Sequence, residues 1–272
     1  MTAVPQTETL SLELSDYILD VRLNRPDNAN AMNPAMWREL QLAFEWADEC
    51  LDVRVIILSG AGKHFCAGID LSMFSEIQFE HDDPCRANEQ FFHHVRGLQK
   101  NLQALQACRK PVLAAMHGAV VGGAIDMTCY ADMRYASADA QFCVKEIDIG
   151  IVADVGTLQN LPSLMPEGLV RELAFTGRNM PADEAARAGF INNVYPDREA
   201  LMAGVRQIAA TIAAKAPLAT RGTKQVLNYT RDHSVEDGLQ WVALWNAAMM
   251  SKHEVREAMG SKLEKREPKF MD

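Results

Sequence analysis

Short apolar segments of strand length alternate with longer amphipathic segments up to about residue 195, and this alternation limits the possible folds more than any other feature. Leu10–Leu14 and Ile18–Leu23 have the apolar pattern of strands, with a turn at Ser15-Asp16 between them. Val53–Leu58 is a β-branched run typical of a buried strand. Beyond residue 195 only helical segments follow. The pattern predicts an α/β core in residues 1–195 and a helical C-terminal region in residues 196–272.

The other boundaries follow from capping residues, prolines and apolar periodicity. Asn33-Pro34 predicts the start of a helix that runs to about Cys50, because asparagine caps a helix and proline fits its first turn. Further strands are expected at Pro111–Met116, Met133–Ala136 and Gln141–Val144. The remaining predicted helices are Pro84–Ala107, Gly122–Tyr130, Glu167–Thr176, Ala182–Ala188, Arg198–Lys215, Pro217–Tyr229, Ser234–Ser251 and Glu254–Leu263.

Composition narrows the class of protein and its location. A net charge of −9 argues against binding to nucleic acid or to an anionic membrane surface. No apolar run reaches the roughly 18 residues of a membrane span, and the N-terminal segment MTAVPQTETLSLELSD lacks the basic and apolar regions of a secretory signal. The C-terminal KFMD differs from a peroxisomal SKL address, and the 6 cysteines form no CxxC pair. Together these features predict a cytoplasmic protein with reduced thiols.

Three acids in apolar surroundings mark the candidate catalytic site. Asp126 follows a glycine pair, Glu146 lies in VKEIDIGI, and Asp154 lies in IVADVG. A carboxylate among isoleucine, valine and alanine loses solvation, which raises its pKa towards values suited to proton transfer near neutral pH. Asp148 would share the face of Glu146 on a strand, but we expect a structural or surface role for it. The three acids therefore predict a proton-transfer site.

Two glycine-containing turns could supply the backbone donors for such a site. GAGKHFCAGIDL follows the predicted strand Val53–Leu58, and GAVVGGAID follows the strand Pro111–Met116 and opens a helix. Amides at a helix N-terminus point outward and favour negative charge. The first turn lacks the GxxxxGK[ST] pattern that binds nucleotide triphosphates. Two amides from separate turns could thus hold a developing oxyanion. No metal is expected, since His93-His94 has no carboxylate or cysteine at ligand spacing.

Three blocks of sequence carry a resemblance to a known family. LNRPDNANAMN, SGAGKHFCAGIDL and RKPVLAAMHGAVVGGAIDM together resemble the enoyl-CoA hydratase/isomerase (crotonase) superfamily. The resemblance extends over about residues 10 to 265. The later segments VKEIDIGIVADVGTLQNLP, ELAFTGRNMPADEA and RDHSVEDGLQWVALWN look like the Δ3,5-Δ2,4-dienoyl-CoA isomerases within it. The resemblance implies the crotonase fold, a spiral of ββα units with a helical C-terminal region that assembles as a trimer or as a pair of trimers.

The resemblance also implies roles for individual residues. Ile69 and Gly123 match the two positions whose N–H groups bind the thioester oxygen. Asp126, Glu146 and Asp154 match the three acids of the dienoyl isomerases. Ordinary hydratases have glutamate in place of Asp126 and usually lack the acid at Asp154, so this departure disfavours simple hydration. The residues implied in binding the adenine and pantetheine parts of coenzyme A are Asn28, Ala29, Ala31, Ala67, Gly68, Asp70, Leu71 and Gly122.

The implied reaction makes chemical sense of the acids. A 3,5-dienoyl thioester has an acidic proton on C2, and its removal gives an enolate whose charge spreads to C6. Reprotonation at C6 yields the 2,4-dienoyl product of unsaturated fatty acid β-oxidation. We expect Asp154 to take the C2 proton, Glu146 to supply the C6 proton and Asp126 to orient or tune Glu146, with the reversed assignment of base and acid left open. No cofactor is needed, because coenzyme A is part of the substrate.

Two other functions compete with this interpretation. The same fold could catalyse enoyl-CoA hydration or Δ3-Δ2-enoyl-CoA isomerisation, and assay with a 3,5-dienoyl-CoA would separate these reactions. A non-catalytic member that binds RNA or a protein partner is a third alternative. The three intact acids and the charge of −9 argue against that alternative.

Overall fold

The computed structural model describes residues 3–73 and 81–272, and in these ranges it has an α/β architecture. The strands are β1 Leu10–Ser15, β2 Ile18–Leu23, β3 Val55–Gly60, β4 Val112–Met116, β5 Ala119–Val121, β6 Met133–Ser137, β7 Gln141–Cys143, β8 Met180–Pro181 and β9 Asn193–Tyr195. The α-helices are α1 Pro34–Glu49, α2 Pro84–Ala107, α3 Gly123–Cys129, α4 Thr157–Asn160, α5 Glu167–Thr176, α6 Ala182–Arg187, α7 Arg198–Ala213, α8 Pro217–Arg231, α9 Val235–Met249 and α10 Lys252–Leu263. Short 3₁₀ helices span Pro26–Asn28, Glu146–Ile149 and Leu161–Ser163.

The larger sheet has 6 strands in the order β1-β2-β3-β4-β6-β9. β1 and β2 are antiparallel, and every later pair in this sheet is parallel. The β1–β2 turn places Asp16 and Tyr17 at φ of 50° and 65°, the left-handed conformation that a tight hairpin requires. Parallel neighbours need crossover connections, and the intervening helices provide them.

The central strands of this sheet are buried on both faces, as parallel strands between helices usually are. All six residues of β3 are buried. Ile56 and Leu58 face the core that includes α1 and α2, while Val55 and Ile57 face the opposite core, which includes α7. Because side chains alternate along a strand, one apolar run supplies both cores. Helix α7 therefore packs on the sheet.

A smaller sheet of order β5-β7-β8 lies at the candidate site. β5 and β7 are parallel, and β7 and β8 are antiparallel. An isolated bridge between Cys66 and Val120 attaches the first glycine turn to β5. This attachment brings two segments that are distant in sequence to the N-terminus of α3.

The structure confirms the predicted α/β class and most of the predicted elements. Helix α1 starts at Pro34, and its cap Asn33 accepts a hydrogen bond from the Met36 amide. Helices α2 and α5 have the predicted bounds. Glu146 and Asp148 do not share the face of a strand, because Glu146–Ile149 forms a 3₁₀ helix. None of the described helices is both long enough and apolar enough to cross a bilayer.

Candidate active site

A cavity of about 330 Å³ opens at the N-terminus of α3. Its wall is mostly apolar and contains three carboxylates, those of Asp126, Glu146 and Asp154. The acids reach it from three different places: α3, the 3₁₀ helix Glu146–Ile149 and the segment before α4. The lining residues are Trp37, Ala67, Gly68, Ile69, Leu71, Leu98, Val121, Gly122, Gly123, Asp126, Lys145, Glu146, Ile149, Ile151, Asp154 and Val155.

The amide of Ile69 is oriented by a short parallel bridge to Met32. In this bridge the Met32 amide donates to the Gly68 carbonyl at 2.8 Å, and the Asp70 amide donates to the Met32 carbonyl at 3.0 Å. The partners of Met32 are thus the residues on either side of Ile69, so the N–H of Ile69 points away from Met32. Ile69 itself lines the cavity.

The amide of Gly123 is the second candidate donor. Gly123 is the first residue of α3, where an N–H has no intrahelical acceptor. The two donors lie close together, since a Cβ built on Gly123 would be 3.8 Å from the nitrogen of Ile69. A Cβ on Gly68 would likewise lie 3.5 Å from the nitrogen of Gly123. The glycines therefore permit the close approach of the two backbones.

Asp126 is fully buried on α3. One carboxylate oxygen accepts a hydrogen bond from the Thr157 amide at 2.6 Å, and the other has no partner among the described residues. Burial, and then the charge of Glu146, raises the pKa of Asp126 to about 7, against the lowering effect of the Thr157 hydrogen bond. The carboxyl is therefore poised to exchange a proton near neutral pH.

Glu146 begins the 3₁₀ helix and is 8% exposed. Its Oε2 has no partner among the described residues, and its Oε1 lies 3.1 Å from where a Cβ on Gly122 would be. Burial raises the pKa of Glu146, and the charge of Asp154 raises it further. A carboxyl in this setting keeps its proton to a higher pH than a solvated glutamate.

Asp154 lies on a segment without regular secondary structure and is half-buried. Burial raises its pKa, while the charge of His94 lowers it. The carbonyl of Asp154 accepts a hydrogen bond from Gln99 Nε2 at 2.5 Å. Asp154 is thus the most solvated of the three acids, and it is the one of the three whose backbone is held by a side chain of α2.

The residues predicted to bind coenzyme A fall into two groups. Ala67, Gly68, Leu71 and Gly122 line the cavity. The other four, Asn28, Ala29, Ala31 and Asp70, are not among its lining residues.

The second group adjoins the first through hydrogen bonds. Ala29 accepts a hydrogen bond from the Ala67 amide at 3.0 Å. Arg25 Nη1 donates both to the Ala31 carbonyl and to Asp70 Oδ2. The hydrogen bond to Arg25 lowers the pKa of Asp70. The structure therefore shows Asp70 joining the loop around Ile69 to the loop that carries Ala31.

Several lining residues were missing from the sequence prediction. Trp37 comes from α1 and Leu98 from α2, and no local pattern separates these residues from ordinary core positions. Ile149 and Ile151 could have been predicted as lining residues, because the apolar run IDIGIVADVG connects two of the candidate acids. Asp148, in contrast, is exposed and pairs with Lys145. This surface pairing agrees with the role expected for Asp148.

The site combines proton-exchanging groups with donors for an anion. Three carboxyls with raised pKa values surround a mostly apolar cavity beside two outward-facing amides. Such a site can remove a proton next to a carbonyl and stabilise the charge that develops on its oxygen. Within residues 3–73 and 81–272 no group of three or more His, Cys, Asp or Glu side chains is arranged to hold a metal ion.

Relatives with assigned names match nearly the whole chain. The peroxisomal Δ3,5-Δ2,4-dienoyl-CoA isomerase of Arabidopsis thaliana is 41% identical over 99% of this chain and 98% of its own length. The mitochondrial enzyme of the same name from Rattus norvegicus is 42% identical over 93% of this chain and 78% of its own. The short-chain-enoyl-CoA hydratase of Clostridium acetobutylicum is 31% identical over 94% and 97%.

Solved structures agree on the fold. Enoyl-CoA hydratase from Bacillus anthracis superposes with a TM-score of 0.87 and 28% identity over 97% of this chain and 99% of that structure. The enzyme from Mycobacterium smegmatis gives 0.84 and 26% identity over 97% and 99%. The sequence model of the enoyl-CoA hydratase/isomerase family matches residues 13–272. This chain belongs to the enoyl-CoA hydratase/isomerase family and has its crotonase fold.

Proposed function

We propose that this protein is a Δ3,5-Δ2,4-dienoyl-CoA isomerase, which moves a proton from C2 to C6 of a 3,5-dienoyl thioester. One observation carries the proposal: Asp126, Glu146 and Asp154 reach a single apolar cavity beside the amides of Ile69 and Gly123. The carbons that lose and gain the proton are several bonds apart, so separate carboxyls suit the reaction better than one. The names of the relatives above support the same activity.

The first step is removal of the C2 proton with the thioester oxygen held by the two amides. As the enolate forms, negative charge moves onto that oxygen, and its hydrogen bonds to the two fixed amides become stronger. Removing one donor from a site of this kind typically costs about 10²–10³ in rate. Ile69 and Gly123 thus act on the anion that develops during the reaction.

The acids divide the proton transfer between them. Asp154, the most solvated of the three, is the base, and Glu146 is the acid that protonates C6. Burial, and then the charge of Asp154, raises the pKa of Glu146, which favours its protonated form more than in a solvated glutamate. Burial, and then the charge of Glu146, raises the pKa of Asp126. We assign to Asp126 the role of orienting or tuning Glu146.

Coenzyme A belongs to the substrate in this scheme, and the proton transfer requires no separate cofactor. Ala67, Gly68, Leu71 and Gly122 would contact the thioester end, since they line the cavity. Asn28, Ala29, Ala31 and Asp70 would lie along the pantetheine and adenine parts. The hydrogen bond between Ala29 and Ala67 supports this continuation from the cavity.

The test is conversion of a 3,5-dienoyl-CoA, followed by absorbance of the conjugated product. We expect Asp154→Asn to lower kcat by about 10²–10⁴-fold, the usual contribution of a general base, with little change in affinity for coenzyme A. Asp148→Asn is the matched control, because Asp148 is exposed and lies outside the cavity lining. Wild-type turnover in Asp154→Asn would exclude Asp154 as the base, and absence of 2,4-dienoyl product from the wild-type protein would overturn the function itself.

A second candidate is enoyl-CoA hydration or Δ3-Δ2-enoyl-CoA isomerisation on the same site. The names of the superposed structures and of the relative from Clostridium acetobutylicum favour it. A 2-enoyl-CoA and a 3-enoyl-CoA should be offered in parallel with the dienoyl substrate. If either gave a higher kcat/KM than the dienoyl thioester, that reaction would replace the first proposal.

Assembly, domain division and location complete the proposal. A homotrimer or homohexamer is supported by the exposed apolar side chains on α9 and α10, among them Leu239, Leu244 and Leu263. Residues 1–195 would form the spiral core, and residues 196–272 the helical region that covers the site and joins subunits. The mass in solution from light scattering tests the assembly. The cytoplasmic location is a prediction that fractionation can check, since the names of relatives include peroxisomal and mitochondrial.

A further inference from the structure

Asp154 lies where the chain has no regular structure to direct its side chain. Residues 151–154 belong to no helix or strand. The Ile151 amide bonds to the Glu146 carbonyl at 3.2 Å, and helical structure resumes at Thr157. Contacts from other parts of the molecule must therefore determine where the carboxylate of Asp154 points.

Two side chains from different helices bind consecutive carbonyls of this segment. Gln99 Nε2, on α2, donates to the Asp154 carbonyl at 2.5 Å. The hydroxyl of Tyr130, which follows the last residue of α3, donates to the Val155 carbonyl at 3.1 Å. Bonds to two successive carbonyls fix the peptide plane between Asp154 and Val155. The position of the Asp154 Cα, from which the carboxylate side chain projects, is thereby restricted.

The ring of Tyr130 also packs against Gly156, the residue after Val155. Gly156 has φ of +138°, and a Cβ there would lie 2.4 Å from the hydroxyl oxygen of Tyr130. Gly156 is followed by Thr157, whose amide donates to Asp126 at 2.6 Å. One buried tyrosine thus supports the backbone beside two of the three acids.

Gln99 is itself oriented by a neighbour. Arg96 Nη1, one turn earlier on α2, donates to Gln99 Oε1 at 2.6 Å. This bond leaves the Nε2 donor for the carbonyl of Asp154. Gln99 and Tyr130 both lie outside the set of residues that line the cavity. Their contacts with the backbone carbonyls of Asp154 and Val155 give them a route to the site without touching the cavity.

We propose that Gln99 and Tyr130 are positioning residues, which hold the backbone of Asp154 and Val155 so that the Asp154 carboxylate reaches the carbon that loses its proton. The inference rests on the proposed isomerase function. The rate of proton transfer depends on placing the carboxylate to within a fraction of an ångström. Two residues outside the cavity would supply this placement.

The main test is Gln99→Met, which keeps the length of the side chain and removes the donor. We expect kcat for the 3,5-dienoyl-CoA to fall about 10- to 100-fold, the scale of a misplacement near 1 Å, while KM stays within about twofold because the cavity lining is unchanged. Gln90→Met is the matched control, since Gln90 is exposed on the same helix. It should keep wild-type kcat.

The pH dependence of kcat gives a readout that loss of folded protein would not move. Asp154 is faced by His94 from α2, Glu146 from the 3₁₀ helix and Asp126 from α3. Burial raises the pKa of Asp154. A carboxylate released towards solvent loses part of that rise, so the acidic limb of the profile should move to lower pH in Gln99→Met. If Gln99 had only a structural role, its substitution would lower the fraction of active protein and leave the acidic limb of the pH profile at the same pH.

Tyr130→Phe is the second variant, because its ring still fills the space beside Gly156 and the fold is preserved. It removes the hydroxyl that donates to the Val155 carbonyl, so we expect a decrease in kcat of about 3- to 10-fold and a shift of the acidic limb in the same direction. Wild-type kcat in both variants would overturn the positioning role, as would a lower kcat with a raised KM and an unmoved limb. A wild-type protein that forms no 2,4-dienoyl product would instead overturn the proposed function.

Discussion

The two halves of the candidate site are held in different ways. The amide region, residues 67–70 with Gly122 and Gly123, is held mainly by hydrogen bonds between backbone atoms and by glycine conformations, with one side-chain pair between Arg25 and Asp70. In the acid region, residues 146–157, the backbone beside Asp154 is held by the side chains of Gln99 and Tyr130, and burial raises the pKa values of the carboxyls. A substitution should therefore disturb the amide region mainly through the space a Cβ needs, and the acid region through a single donor or charge.

Within the amide region the largest effect is expected for Gly68→Ala. Gly68 has φ of +93°, and a Cβ there would lie 2.7 Å from the oxygen of Val121, a backbone atom that cannot move aside as a flexible side chain can. The displaced loop would move the Ile69 amide, so kcat should fall about 10²–10³-fold, the effect of losing one oxyanion donor. Strain should also lower the free energy of unfolding by about 1–3 kcal/mol. Steady-state kinetics and urea unfolding measure the two quantities.

Gly97→Ala is the control for that substitution. Gly97 lies within α2, and a Cβ there has no atom within 4 Å. Alanine favours a helix over glycine by about 1 kcal/mol, so this variant should be as stable as wild type or more so. A Gly68→Ala protein with unchanged kcat would show that the amide region tolerates movement, and the contrast between the two halves would be lost.

The elements of the fold that the sequence predicted well are those with local signals. Asn33 and Pro34 mark the start of α1 by their own chemistry, and α2 follows Pro84 in the same way. β5 was missed because its three residues, Ala119–Val121, look like part of a glycine turn. They form a strand only because β7 and Cys66 supply partners from elsewhere in the chain.

In the candidate site, too, the residues with local sequence signals were predicted and those that depend on the whole fold were not. The apolar surroundings of Asp126, Glu146 and Asp154 were visible locally, and the structure brings all three into one cavity. The contribution of Trp37 could not be predicted, because its ring on α1 meets Gly123 at the start of α3 only in the complete fold. Asp70 was assigned to coenzyme A by resemblance, and its ion pair with Arg25 depends on two loops meeting in space.

An intermediate effect is expected for Asn30→Ala, which tests how the amide region is built. Asn30 is fully buried with φ of +55°, and its Nδ2 donates to the carbonyls of Ala61, His64 and Phe65. Alanine would leave these carbonyls without their donor, and it would itself have to adopt a left-handed conformation. The free energy of unfolding should therefore fall by about 2–4 kcal/mol. Asn33→Ala, which removes only the cap of α1, should cost about 1 kcal/mol. Equal losses in the two variants would contradict a special role for Asn30.

The smallest effect concerns the charge of Asp126 and is a dependence of stability on pH. Burial and the charge of Glu146 raise the pKa of Asp126 from 3.8 to about 7 in the folded protein. A raised folded-state pKa means that the protonated carboxyl stabilises the fold, and this stability is lost as the pH rises from the unfolded value through the folded one. Asp126→Asn stays neutral throughout, so it should gain on wild type as the pH rises.

The gain should be about 1–1.5 kcal/mol between about pH 6 and pH 8, because over this interval the folded wild type retains on average about half a proton that the unfolded chain has lost. Urea unfolding of both proteins at the two pH values measures it. Asp148→Asn, at an exposed acid outside the cavity lining, should follow wild type across the same interval. If Asp126→Asn also followed wild type, the Asp126 carboxyl would not be a buried acid titrating near neutrality. Its suggested influence on Glu146 would then lose its physical basis, and the acid region would depend on two carboxyls rather than three.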